Sequence, residues 1–348
     1  MKFFRRLLTD LTLVAAAIAV AVLLLMAALY LAHYPAHRIL GTWLNGALGT
    51  RTDVLISLNY ACPLILTGLA AGVAFRSGVF NIGAEGQSIL GAIFTTALAT
   101  RFLPALPAPI AIPLAIVAAG IGGAAWAFIA AILDRLRGVP IVLSTILLNF
   151  IALKFLGILV EGPLKAVGPN PQSDTLPTAF FLPGFFASAG GALQGGFFIA
   201  LAIAAVCWVV QSRTTFGFEI LVTGLNPVAA QYAGMPVAAR QFAIMLWSGA
   251  FAGIAGAIQI MGVEGGHFLG TSPTSYGYAG IAVALLGRLH PAGIVAAAIF
   301  FGMLDHGATA IDFPLPPEVA DIVKGILVLV ILVGTAALAR RRLRVTQA

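Results

Sequence analysis

An arginine, an asparagine, a glutamate and a glutamine stand within 75–91, FRSGVFNIGAEGQSILG, flanked by long apolar runs. A carboxylate at membrane depth costs roughly 3 kcal/mol even on lenient insertion scales, so such residues are seldom idle. Two roles fit: the segment lines a polar pathway, or it closes a helix start that neighbouring helices could not otherwise bury. Read as helix from residue 80, the segment puts Asn81, Glu85 and Ser88 at i, i+4 and i+7, on one face. In the local reading, Asn81 caps that helix and Glu85 lies near its positive end, with Gly83 and Gly86 admitting a close neighbour. Asn59, Asn149, Asp305 and Thr309 are further polar residues in apolar surroundings, the last two on one face. Asn81, Glu85, Asn149 and Asp305 are the expected pathway contacts. They suit a neutral polar solute better than an ion, since they form neither a ring of like charge nor a chain of paired acids.

A second segment, Thr223–Pro236, reads TGLNPVAAQYAGMP. Asn226 is a good N-cap and Pro227 suits the first helical position. Val228 to Ala233 is the expected helix, Gly234 its left-handed terminator, and Pro236 prevents continuation. About two turns of apolar helix are unstable alone, so this one docks against something: its own bundle or a groove on a partner.

Other chemistries lack their motifs. The chain has no G-x-x-x-x-G-K-[ST] loop to cradle phosphates, no H-E-x-x-H and no G-x-S-x-G. Its five histidines are scattered, and His267, beside Glu264, reads as interfacial. Cys62 and Cys207 sit in apolar segments without metal-ligand spacing and read as inert core thiols. No metal site and no bound cofactor are expected.

These residues need elements to hold them. The chain is 60% hydrophobic and 9% charged, with a mean hydropathy of +1.03. A soluble domain carries about 25% charged residues, so this is an all-α integral membrane protein, one transmembrane domain over 1–348. Hydropathy and turn signals predict about ten transmembrane helices: 11–32, 53–75, 80–102, 110–133, 139–160, 197–211, 241–263, 276–287, 291–311 and 318–339. The Pro-, Gly- and Ser-rich stretch 161–196 reads as an extracytoplasmic loop with one re-entrant or surface helix, and 212–240 as a cytoplasmic loop. Threaded alternately with the N-terminus inside, the spans leave most basic residues on the inner side, Lys2, Arg5, Arg135, Arg137 and Arg340 among them. Arg38, Arg51, Arg101 and Lys165 fall outside, so both termini are expected in the cytoplasm. The net charge of +7 is thus a topology signal, not a nucleic-acid surface. A short echo, Gly68-Leu-Ala before Arg76 and Gly280-Ile-Ala before Arg288, hints at paired helices around a midplane pathway.

Four segments in order, FNIGAEGQ (80–87), LSTILLNFIA (143–152), GLNPVAAQYAG (224–234) and GIAVALLGR (280–288), resemble permease subunits of ATP-binding cassette importers. That wider family serves branched-chain amino acids, ribose and purine nucleosides. NIGAEGQ resembles the branch paired with basic-membrane-protein-type lipoprotein receptors, which includes nucleoside importers. The resemblance implies a type II-like importer bundle in a bacterial-type inner membrane. It also implies a second, related permease subunit, two ATPase subunits that bind ATP and magnesium, and an extracytoplasmic solute-binding lipoprotein or protein. Residues 224–234 would then be the coupling helix, with Gly224, Asn226, Pro227, Ala229, Ala230 and Gly234 meeting the ATPase. The implied function is inward passage of a small polar solute, a nucleoside first, by alternating access. Import of a sugar or other riboside by the same machinery is one alternative, and a self-sufficient secondary transporter another.

Without a nucleotide-binding loop, the purified chain alone should hydrolyse no ATP and drive no uptake into liposomes. Ion-gradient-driven uptake by the chain alone would favour the secondary transporter.

Overall fold

A computed structural model describes residues 35–188, 190–268 and 275–310, with isolated positions 23, 26, 27, 30 and 325. The expected first and tenth spans, 11–32 and 318–339, lie outside the described residues apart from those isolated positions. The chain divides into two units, Leu58–Gly302 and a second formed by the segments Met1–Ser57 and Met303–Ala348.

In the second unit, helix α1 spans Ala36–Leu48. Trp43 is buried, its Nε1 donating to the Leu304 carbonyl at 2.9 Å. A methyl added to Gly307 would stand 2.1 Å from the Trp43 ring, so the glycine makes room for the indole. Ser57 Oγ donates to the Ala47 carbonyl at 3.0 Å.

Helix α2, Arg51–Arg76, ends in a Schellman turn. Gly78 is left-handed at φ +80°, its N–H meets the Phe75 carbonyl at 3.1 Å, and the Val79 N–H meets the Ala74 carbonyl at 3.0 Å. The chain then runs non-helically to Gly83 before α3, Ala84–Ala97, and a π turn at Leu98–Phe102. Next come α4, Ala108–Arg137, and α5, Ile141–Glu161. The stretch expected to hold a surface helix instead carries a single 3-10 turn, Thr178–Phe180, and an antiparallel hairpin, β1 Gly184–Ser188 with β2 Gly191–Gln194. Asn59 of α2 pins that hairpin, donating to the Ala192 carbonyl and accepting from the Gln194 N–H, both at 2.8 Å. Helices α6, Gly196–Arg213, α7, Thr215–Leu225, and α8, Pro227–Tyr232, lead to α9, Val237–Ile258, which ends in a π turn at Gln259–Val263. Then follow α10, Tyr276–Leu286, and α11, Pro291–Thr309.

The expectation of about ten transmembrane helices is overturned. Among the described residues six helices are long and apolar enough to cross a membrane: Arg51–Arg76, Ala108–Arg137, Ile141–Glu161, Gly196–Arg213, Val237–Val263 and Pro291–Thr309. The all-α character holds apart from the hairpin, but the alternating ten-span layout does not. Hydropathy counts apolar residues without sensing where the helix is interrupted. The expected third span loses its first turn to non-helical backbone, leaving 14 residues in α3. The expected eighth is an 11-residue helix, about 16 Å long at 1.5 Å per residue, half of an apolar core about 30 Å thick.

The centre of Leu58–Gly302 is a seam of small residues where α3, α4 and α9 meet backbone to backbone. A methyl on Gly253 would fall 2.1 Å from the Ala119 carbonyl oxygen, one on Gly91 2.1 Å from that of Gly253, and one on Gly256 2.0 Å from that of Ser88. Such proximity maximises dispersion where lipid offers no hydrophobic drive for helix association. Gly253→Ala should therefore destabilise the protein in detergent, overpacking costing about 1–3 kcal/mol. Gly157→Ala on α5, with nothing within 4 Å of the new methyl, should hold or raise the melting temperature, helix propensity favouring alanine by about 1 kcal/mol. Equal melting temperatures for the two variants would contradict a backbone-limited seam.

Candidate functional site

The break between α2 and α3 is where the sequence-predicted residues gather. Ser248 Oγ of α9 donates to the Ala70 carbonyl of α2 at 2.7 Å and accepts from Asn81 Nδ2 at 2.8 Å. After its Schellman turn the chain therefore doubles back, and Asn81 lies level with Ala70. Helix α10 starts at a similar level, with Thr67 Oγ1 donating to the Tyr276 carbonyl at 2.9 Å. Two short helices thus begin beside the interior of a long one.

Backbone that leaves a helix inside an apolar bundle must find partners for its N–H and C=O groups. Asn81, fully buried, takes the Gly83 N–H on Oδ1 at 2.8 Å and pairs its amide with Gln87 in both directions, at 2.9 and 3.1 Å. The helix starts at Ala84 with Gly83 as N-cap, so Asn81 is not the cap but the residue that turns the chain into it. Asn149 of α5 completes the clamp. Its Oδ1 accepts from the Gly86 N–H at 2.9 Å, and its Nδ2 donates to the Ile82 carbonyl at 2.9 Å and to the Tyr278 hydroxyl at 3.1 Å.

Glu85 occupies the first turn of α3 and is 5% exposed. Its Oε2 accepts from the Gly277 N–H, in the first turn of α10, at 2.8 Å. The carboxylate therefore serves the positive ends of two helices, its own and α10, which lowers the cost of burying it. A methyl on Gly277 would stand 2.2 Å from the Glu85 N, so only glycine allows this approach. The echo noted in the sequence is spatial as well: a methyl on Gly280 would meet Thr67 Oγ1 at 2.4 Å, and one on Gly68 would meet Val283 at 2.9 Å. Helices α2 and α10 run side by side in the same direction through these small residues.

Asn81, Glu85 and Asn149 are brought together, joined by Gln87, Ser248, Gly277 and Tyr278, none of which is among the contacts expected from sequence. Gln87 is visible in the FNIGAEGQ segment, whereas Ser248, Gly277 and Tyr278 carry no local signal. Asp305 belongs to the other unit, half-buried on α11. Its neighbour His306 approaches Asp53 there, Nε2 to Oδ1 at 3.5 Å. Glu264 lies just past the π turn of α9 and donor Gln259 binds it. Burial raises its carboxyl pKa, against the opposing pull of Gln259 and the nearby His267. Among the described residues no group of three or more His, Cys, Asp or Glu is placed to hold a metal ion.

The second feature is α8. Asn226 caps it, Oδ1 accepting from the Ala229 N–H at 3.0 Å, and Pro227 takes the first position. A Schellman turn closes it, with Met235 N–H to the Ala230 carbonyl and Gly234 N–H to that of Gln231, both at 3.0 Å, and Gly234 at φ +79°. The helix ends one residue earlier than the sequence indicated. Ala230 is fully buried, whereas Leu225, Val228 and Tyr232 are 76%, 61% and 91% exposed. An apolar face is thus held out on a capped, two-turn frame.

A family model described as the permease component of branched-chain amino acid transport systems matches residues 54–332. The chain is 37% identical over 291 residues to the guanosine ABC transporter permease protein NupP of Bacillus subtilis (strain 168), covering 82% of each. It is 34% identical to the glucose ABC transporter permease protein TsgB13 of Haloferax volcanii, over 80% of this chain and 74% of that one. It is 33% identical to the nucleoside ABC transporter permease protein NupB of Lactococcus lactis subsp. cremoris, over 82% and 81%. This chain belongs to the branched-chain amino acid transport permease family, the multi-pass membrane component of ABC importers, in which ATP hydrolysis is left to separate subunits.

Proposed function

We propose that the solute this permease carries is a nucleoside. The observation that carries this reading is the likeness, along four-fifths of the chain, to the guanosine and nucleoside permeases. The polar groups at the break agree with it: amides, hydroxyls and one carboxylate already engaged by a helix end suit a neutral, hydrogen-bonding solute. Asn81, Glu85 and Asn149 border the pathway at the start of two discontinuous helices, the arrangement transporters use for midplane binding sites. The glucose permease among the relatives supports a second reading, a sugar or other riboside carried by the same machinery.

In this reading 212–240 is the cytoplasmic coupling loop and 161–196 faces the solute-binding protein outside. The exposed face of α8, which Asn226, Pro227, Ala229, Ala230 and Gly234 form and cap, inserts into a groove on an ATPase that binds ATP and magnesium, while Gly224, in the last turn of α7, stands behind that face and does not touch the ATPase. A second, related permease completes the pathway.

Competition for uptake in membranes holding the whole transporter decides the solute: unlabelled nucleosides should displace labelled guanosine, and glucose or ribose should not. Uptake of labelled glucose or ribose with none of labelled guanosine would establish the second reading. Gly234→Val forces a β-branched residue into a left-handed position, so ATP-driven uptake should be lost while the subunit still inserts. Normal uptake would mean that α8 merely packs on its own bundle. Glu85→Gln keeps an acceptor for Gly277 but removes the charge, and uptake per folded molecule should fall. Asn149→Ala strands the buried Gly86 N–H and Ile82 carbonyl at about 1–3 kcal/mol each, so its main effect should be a lower melting temperature. Wild-type uptake by Glu85→Gln would remove Glu85 from the pathway.

A further inference from the structure

Gly224, in the last turn of α7, rests on the turn that ends α2. A methyl added to it would stand 2.1 Å from the Arg76 carbonyl oxygen and 3.1 Å from the Gly78 nitrogen, and one on Gly78 would lie 3.4 Å from the Gly224 Cα. Main chain meets main chain, with no side chain between them to yield. Two buried polar atoms stand beside this contact: among the described residues, Arg76 Nε and Oγ1 of Thr223, the residue before Gly224, have no hydrogen-bond partner. Unpaired buried polar atoms are costly and rare, which marks this contact out from the well-paired break beside it.

The two sides of the contact lead to the two features described above. Two residues beyond Gly224, Asn226 caps α8. Three residues beyond Gly78, Asn81 joins Ser248 and Gln87, and Glu85 holds the first turn of α10 through Gly277. Helix α7 is itself tied to the start of α9, through the Arg240–Glu219 ion pair and the Arg240 guanidinium lying 5.2 Å from the Phe216 ring centroid.

We propose that Gly224 is a positioning residue: its backbone contact with Arg76–Gly78 passes displacement of α8 to the α2–α3 break and on to the Glu85–Gly277 junction. This rests on the reading of α8 as the docking helix. It adds a route between docking helix and pathway, carried by packed backbone rather than by a flexible loop.

Hydrogen exchange on the complete transporter in nanodiscs, with and without a non-hydrolysable ATP analogue, tests the route. In the wild type the α8 amides should be protected by assembly, and the analogue should change exchange across 77–88 by about fivefold or more. In Gly224→Ala protection at α8 and basal ATP hydrolysis should persist, while the response across 77–88 disappears and uptake falls by about tenfold or more. A wild type with α8 protected but 77–88 indifferent to nucleotide overturns the route and leaves the docking reading standing. So does Gly224→Ala transporting at the wild-type rate. Unprotected α8 amides in the assembled wild type overturn the docking reading, and the route with it. The wild-type measurement stands even if the variant fails to fold.

Discussion

Every irregular stretch of backbone inside a membrane bundle must have its polar groups paired from within the protein. Here that constraint is concentrated in the few residues between Gly78 and Gly86. Asn149 supplies both an acceptor for Gly86 and a donor for Ile82. Asn81 bends the chain, and Glu85 lends its charge to a helix that is not its own. With those pairings met, two short helices can start beside the interior of α2 and bring their positive ends close together. Remove the pairings and the break becomes the most expensive feature of the fold rather than its organising one.

The glycine seam is what allows the side chains to reach. Asn149 and Glu85 are short, so the helices bearing them must lie almost in backbone contact with their targets. Gly277 beside Glu85, and Gly253 between α3 and α4, meet that demand by having no side chain. Close packing and polar pairing are therefore one arrangement: the first brings donors within range and the second repays the irregular backbone.

Much of this was legible beforehand because it is local. Asn226, Pro227 and Gly234 announce α8 within a dozen residues, and the structure gives each the role its chemistry demands. The polar cluster at 81–88 likewise marks a place where the chain does something other than span. What was hidden is non-local. An irregular segment among apolar residues and an apolar helix look alike to hydropathy, so Phe80–Gly83 was counted into a span and α10 into a crossing it is too short to make. Gly277 and Ser248 gain meaning only from partners separated by 192 and 167 residues, a relation no periodicity records. Asp305 was expected as a pathway contact from its polar character at depth, and it lies in the other unit.

The separation of those partners also bears on how the protein is made. Asn149 is synthesised 63 residues after the Gly86 amide it caps. Ser248 follows Asn81 by 167. At about 5–20 residues per second, those intervals are roughly 3–13 s and 8–33 s. For that time the stretch around Asn81 cannot adopt its final form against lipid, because nothing yet exists to pair with it. It must wait in a wet or proteinaceous setting, or enter first as continuous helix and unwind once α5 and α9 arrive. Biogenesis of the whole subunit is thus gated by the delivery of its later helices to a site laid down near its beginning.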